Sequence, residues 1–237
     1  MLLNLTHRRW HPSAAQREAA IREMPCLAGR AFNHQRVDDS RPQAYTFVRR
    51  SAYYAAFNSG AALSGKQRLG LGMLWSDRHG ALMQSQSGSR DAAWGARPAG
   101  ADNVLERAVK GAEFTVDGKK AEQVPGARDL PQGDLAVDYP LGDRGRKVVS
   151  FHDDAIEVAV EFEGSFVEQV PLLIPEGARL EISDGRATLS EQDAILTVKF
   201  TKGVEASRLD TDVTVAGKAL RVLRLQAEGG LTYRLEL

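Results

Sequence analysis

The chain has 237 residues, 43% of them hydrophobic and 26% charged, so it can bury a sizeable core and is too apolar for wholesale disorder. Lys and Arg total 31 and Asp and Glu also total 31, a balance that argues against a general binder of nucleic acid or membrane surfaces. A single cysteine, Cys26, excludes an intrachain disulfide and a cysteine metal cluster.

The charge is uneven along the chain. Residues 1–50 hold 9 Arg, no Lys and 4 acids, which a solvated surface accounts for. The opening "MLLNLTHRRW" makes a poor signal peptide, because its apolar run is short and charge follows at once. No segment approaches the roughly 20 apolar residues that span a bilayer. The sequon at Asn4–Thr6 reads as chance. His7 and His11 have the spacing of two helical zinc ligands, but no Glu follows His7 and Pro12 ends the segment, so no metal is expected.

From residue 1 to about 41 the pattern is helical or irregular. "HPSAAQREAAIREM" offers Ser13 as an N-cap with Gln16 three residues on, followed by a short, Ala-rich, weakly amphipathic helix. From residue 42 to 237 the hydrophobic period falls to two. "QRLGLGML", "AIEVAVEFEG" and "LTYRLEL" each set one apolar face against a polar or glycine face, as in antiparallel sheets. Asp117-Gly118, Glu163-Gly164, Asp184-Gly185, Ala216-Gly217 and Gly229-Gly230 read as hairpin turns, and Pro140, Pro171 and Pro175 as strand ends or edges. The segment 85–103 is the expected long loop. This pattern predicts a mainly β chain of about a dozen strands: a large antiparallel β-sandwich of supersandwich type, with a short N-terminal helical segment.

Candidate binding residues come from two stretches. Read as one strand, "FVRRSAYYAAFNSG" turns Phe47, Tyr53 and Phe57 to the core and Arg50, Tyr54 and Asn58 outward. A guanidinium, a phenol and an amide there suit a sugar face, since Arg pairs with carboxylate or sulfate and Tyr stacks or hydrogen-bonds. The competing reading puts Tyr54 under a loop and Arg50 in a structural ion pair. In "RLGLGML", Gly70 and Gly72 give up side-chain packing, which predicts that a ring, a loop or another domain approaches that face. Trp75, His79, Gln84 and Gln86 lie just beyond. His79, in a turn, is the candidate acid or base, and His152 reads as structural. There is no G-x-S-x-G, P-loop or EF-hand loop.

From Phe47 to Ser89, under a fifth of the chain, "RRSAYYAAFNSG…QRLGLGMLWSDRHGALMQSQSGS" resembles the C-terminal β-sandwich of heparinase II/III-like polysaccharide lyases. The order of a helical tail followed by a many-stranded sandwich extends the likeness. The resemblance implies an acidic polysaccharide as ligand, a helical toroid domain or partner chain beside the sandwich, and β-elimination by a Tyr or His base, here Tyr54 or His79. Too few residues precede Tyr45 to build a toroid, so a complete enzyme is not expected from this chain. The structural metal that some relatives hold through sandwich histidines has no matching pattern here, and no cofactor is expected. As part of a lyase the chain would be periplasmic or extracellular, and otherwise cytoplasmic. The alternatives are a structural or interaction sandwich without glycan affinity, and a self-contained lyase.

Overall fold

The computed structural model describes residues 13–24, 30–38, 40–41, 43–61, 68–86 and 91–237. His7, His11, Cys26 and the sequon at Asn4 lie outside them. The one helix among the described residues, α1 (Ala14–Glu23), begins with the expected capping box. The Ser13 hydroxyl accepts from the Gln16 amide at 3.2 Å and the Gln16 side chain accepts from the Ser13 amide at 2.9 Å. The helix buries no residue, and Ile21 and Met24 are exposed. It is too short to cross a membrane.

Strands follow in the order β1 (Phe32–Asp38), β2 (Gln43–Arg49), β3 (Tyr54–Ala61), β4 (Gly70–Ser76), β5 (Gly80–Gln84) and β6 (Gly95–Pro98). Next come β7 (Ala108–Val109), β8 (Glu113–Val116), β9 (Lys119–Ala121), β10 (Gly126–Leu130), β11 (Leu135–Pro140) and β12 (Gly145–Phe151). The last six are β13 (Ala155–Ile174), β14 (Arg179–Ser183), β15 (Arg186–Ser190), β16 (Ala194–Phe200), β17 (Glu205–Val215) and β18 (Lys218–Glu236). Every pairing is antiparallel, and β1 already stands ahead of residue 42, where the two-residue rhythm becomes visible in the sequence.

Two long strands organise the rest. The first half of β13 pairs with β12 and with the end of β18, continuing through β11, β8 and β9 on one side and β16, β15 and β14 on the other. Its second half pairs with β5, β6 and the start of β18, continuing through β4, β3, β2, β1 and β10 on one side and β17 on the other. The strands change sheet at a bulge between Phe162 and Ser165, where Gly164 and the facing Gly229 both have positive φ. Glu163-Gly164 and Gly229-Gly230 are therefore bends inside 20- and 19-residue strands, not hairpin turns. Asp117-Gly118, Asp184-Gly185 and Ala216-Gly217 do close hairpins. Pro171 is not at a strand end: it lies inside β13 opposite Val222, at a local gap between Gln169, where β6 stops, and Leu172, where β5 begins.

The inner faces meet in a continuous apolar core. The Phe57 ring of β3 lies 5.8 Å from Tyr139 of β11 and 6.4 Å from Phe151 of β12. Within this core sits a fully buried polar cluster. Lys147 of β12 donates to both carboxylate oxygens of Glu168 on β13, at 2.9 and 2.8 Å, and to Glu106 from a single 3-10 turn at Leu105–Arg107. The Tyr233 hydroxyl donates to Glu168 at 3.0 Å and accepts from the Trp94 indole at 2.8 Å, while Lys147 lies 4.4 Å from the Trp94 ring centre. Glu106 also accepts from the Ala96 amide at 2.9 Å. Burial pushes the Glu168 carboxyl up to about 7; Lys147 opposes that shift and Glu106 adds to it. Burial pulls Lys147 down, but the two carboxylates outweigh it and hold the ammonium above its ordinary value.

The cluster dictates its surroundings. Gly95, at φ 137°, has the Glu106 carboxylate where a Cβ would stand, and Gly70, at φ 71°, has the six-membered ring of Trp94 there. The expected long loop thus contains strand β6 and the buried anchor Trp94.

Two outcomes test this. Lys147→Met should cost about 3–5 kcal/mol in urea unfolding, because it leaves two buried carboxylates unpaired. Glu168 keeps a proton in the folded state that the unfolded chain loses from about pH 4.5, so its contribution is complete below that pH and is lost as the pH rises through about 7. Relative to Glu168→Gln, the wild-type melting temperature should therefore fall between pH 4.5 and 7.5; parallel profiles would contradict the assignment.

Candidate functional site

The sheet containing β1–β5 has an outer face in which side chains from successive strands fall into rows. Cross-strand partners place Asp129, His34, Phe47, Ala56, Met73 and Gln84 in one row, and Phe32, Arg49, Tyr54, Trp75 and Ala81 in the next. Phe32, His34, Phe47, Tyr54 and Trp75 are all half-buried. Phe47 lies 6.3 Å from Tyr54 with the rings 11° apart, and 6.3 Å from His34 with the rings 27° apart. Phe32 meets Tyr54 edge-on.

These four rings line a cleft of about 410 Å³ together with Arg30, Asp129 and Gln132, and with Glu23 of α1. His34 Nδ1 and Asp129 Oδ1 are 2.8 Å apart, an arrangement that orients the imidazole. The cleft combines apolar ring surface with a cation, an anion, an amide and an imidazole at its rim. Such a lining suits a ligand with apolar faces and hydroxyl or charged edges. Among the described residues, no group of three or more His, Cys, Asp or Glu is placed to hold a metal.

The sequence-derived candidates scatter. Tyr54 and Trp75 are cross-strand partners on this face, and Gln84 faces Met73 in the neighbouring row. Arg50 is not an outward residue. The segment is a hairpin, with Arg50 in the β2–β3 connection, 2% exposed. Its guanidinium donates to the carbonyls of Phe32, Arg49, Gly133 and Phe151 and to Asn33 Oδ1, at 2.7–3.3 Å. The connection also reverses the parity, so Phe47 points out while Val48, Tyr53 and Phe57 point in.

Asn58 is half-buried, and its amide donates to the Arg68 carbonyl at 3.0 Å. Gln86 donates to the Gln84 carbonyl at 3.3 Å. His79 lines a separate small cleft with Arg78 and Glu191–Asp193, so it does not share a site with Tyr54. Gly70 and Gly72 form no open patch. Trp94 fills the space over Gly70, and Gly72 is the extra residue of a bulge between the pairs Phe57–Leu71 and Ala56–Met73. That bulge turns Met73 and Trp75 outward.

Phe32, His34, Phe47 and Asp129 were not legible as site residues. In β1 the inward positions are polar, Asn33 and Gln35, and the outward ones include Phe32 and His34, the reverse of the usual pattern. Gln35 donates to Thr46 at 3.2 Å, and Asn33 donates to the carbonyls of Pro131 and Gly133.

No protein-family model and no curated protein matches the sequence. Among solved structures, the chain is similar to the crystal structure of HI1317, with 7% identity and a TM-score of 0.50, over 82% of this chain and 92% of that one. It is also similar to heparan sulfate lyase HepC from Pedobacter heparinus, with 10% identity and a TM-score of 0.49, over 81% of this chain and 34% of the lyase. For the 4-alpha-glucanotransferase from Thermococcus litoralis the values are 11% and 0.42, over 88% and 40%. The chain thus spans about a third of the lyase. Identities this low speak to the shape of the sandwich alone.

Replacing Arg50 by Gln should lower stability by about 2–4 kcal/mol, because several buried carbonyls lose a charged donor together. Guanidinium unfolding would read this, and a change under about 0.5 kcal/mol would contradict the assignment.

Proposed function

We propose that this chain is a carbohydrate-associated β-sandwich module of polysaccharide-lyase type, which contributes to binding an acidic glycan and packs against a catalytic helical domain. The observation that carries the reading is the cleft in which Phe32, His34, Phe47 and Tyr54 stand half-exposed beside Arg30, Asp129 and Gln132. Sugars present apolar ring faces and hydroxyl edges, and this lining offers a partner for each. The fully exposed α1, with Ile21 and Met24 on its surface, supports a helical neighbour. His79 lines a different cleft, so of the two candidate bases only Tyr54 belongs to this site.

A second reading has an observation of its own. Ala56 and Met73 continue the aromatic row as half-exposed apolar residues, which suits a protein surface covering this face. Affinity electrophoresis in gels containing heparan sulfate or hyaluronan separates the two. The glycan reading predicts retardation of the wild type and a loss of about 10-fold in affinity for Phe47→Ala and Tyr54→Ala. Unretarded wild type would favour the protein-surface reading.

A further inference from the structure

Arg49 occupies an unusual position in the outer face. It pairs across β2 with Phe32 on one side and Tyr54 on the other, and Phe47 precedes it by two residues, so three rings of the cleft surround it on its own face. Strands two apart are separated by roughly 9.6 Å, yet the Phe32 and Tyr54 ring centres are 6.3 Å apart. The two rings therefore lean together over the strand that carries Arg49. The Arg49 side chain is 1% exposed.

Its guanidinium is incompletely used. Nη2 donates to Asp77 Oδ2 at 2.8 Å, but Nε and Nη1 are buried without an acceptor. A charged group is costly to bury with donors unmatched. The counter-ion is 58% exposed, so the buried cation is joined to solvent through its partner, while Phe32, Phe47 and Tyr54 around it line the cleft. Once Asp77 releases Nη2, that nitrogen completes a fork with Nε or Nη1 that fits a planar carboxylate or a sulfate.

We propose that Arg49 is the anion-recognising residue of this cleft. It takes a carboxylate or sulfate of the glycan when Phe32 and Tyr54 part, and Asp77 serves as the internal anion that the ligand displaces. This assignment rests on the glycan reading above. It moves the charge recognition one residue from Arg50, whose Nη1 and Nη2 are both engaged with the fold.

Two measurements test it. In affinity gels, Arg49→Gln should weaken binding to hyaluronan about 10-fold or more while leaving binding to carboxyl-reduced hyaluronan unchanged, whereas Phe47→Ala weakens both. Asp77→Asn, a change at an exposed side chain, should strengthen hyaluronan binding. An Arg49→Gln variant within twofold of wild type on hyaluronan, or an Asp77→Asn variant no tighter than wild type, overturns the assignment and leaves the glycan reading standing. Wild type that binds neither polymer overturns the glycan reading itself. In NMR titrations of the wild type with sodium glucuronate, the Arg49 Nε–H resonance should shift saturably, and more tightly in Asp77→Asn. An unmoved resonance counts against the role whether or not Arg49→Gln folds.

Discussion

One ammonium held between two carboxylates in an otherwise apolar core governs how the two sheets meet. Lys147 comes from one sheet, Glu168 from the half of β13 that belongs to the other, and Glu106 from the turn that leads into β7. Buried ions are stabilising only when each is paired and its remaining donors and acceptors are filled; here the Tyr233 hydroxyl and the Ala96 amide donate to the carboxylates, and the Trp94 indole donates to Tyr233. Such a cluster tolerates little displacement. It explains why Gly70 and Gly95 sit where they do, since a side chain on either would enter the space of Trp94 or Glu106.

The outer face inherits its order from that interior. With β4 fixed by Trp94 above Gly70 and by the bulge at Gly72, the rows that run from His34 to Gln84 and from Phe32 to Ala81 acquire a defined register. Arg50 and Asn33 then tie the loop at 131–133 to the start of β1 and the β2–β3 connection, which sets Gln132 and Asp129 at the rim of the aromatic cleft. Arg50 builds the site without touching what the site would hold. Adjacent arginines in one sequence thus divide into a structural brace and a residue with donors to spare.

The sandwich was legible because its strands alternate and its hairpins use Asp-Gly and Ala-Gly pairs, both local signals. The capping box of α1 was local too. What escaped the sequence depends on partners far along the chain. A bulge at Gly72 inverts the faces of β4, and the connection at Arg50–Tyr53 inverts them between β2 and β3, so alternation counted through either point assigns side chains to the wrong side. The glycine pairs at 163–164 and 229–230 look like turns but serve as bends, because strand partners on both sides keep the chain extended. In β1 the inward Asn33 amide bonds to Arg50 and the loop carbonyls and Gln35 Nε2 donates to Thr46, none of them a sequence neighbour, so a strand with polar inside positions reads as irregular. The pairing of His34 with Asp129 spans 95 residues and leaves no local trace.

Hydrogen–deuterium exchange with and without a heparan sulfate oligosaccharide tests most directly whether the aromatic cleft is the ligand surface. A ligand in the cleft should add protection in residues 30–34, 45–56 and 129–132 and leave the His79 turn and the β14–β15 hairpin unchanged. Protection centred on those two regions, with the cleft segments exchanging as in the free protein, would contradict it.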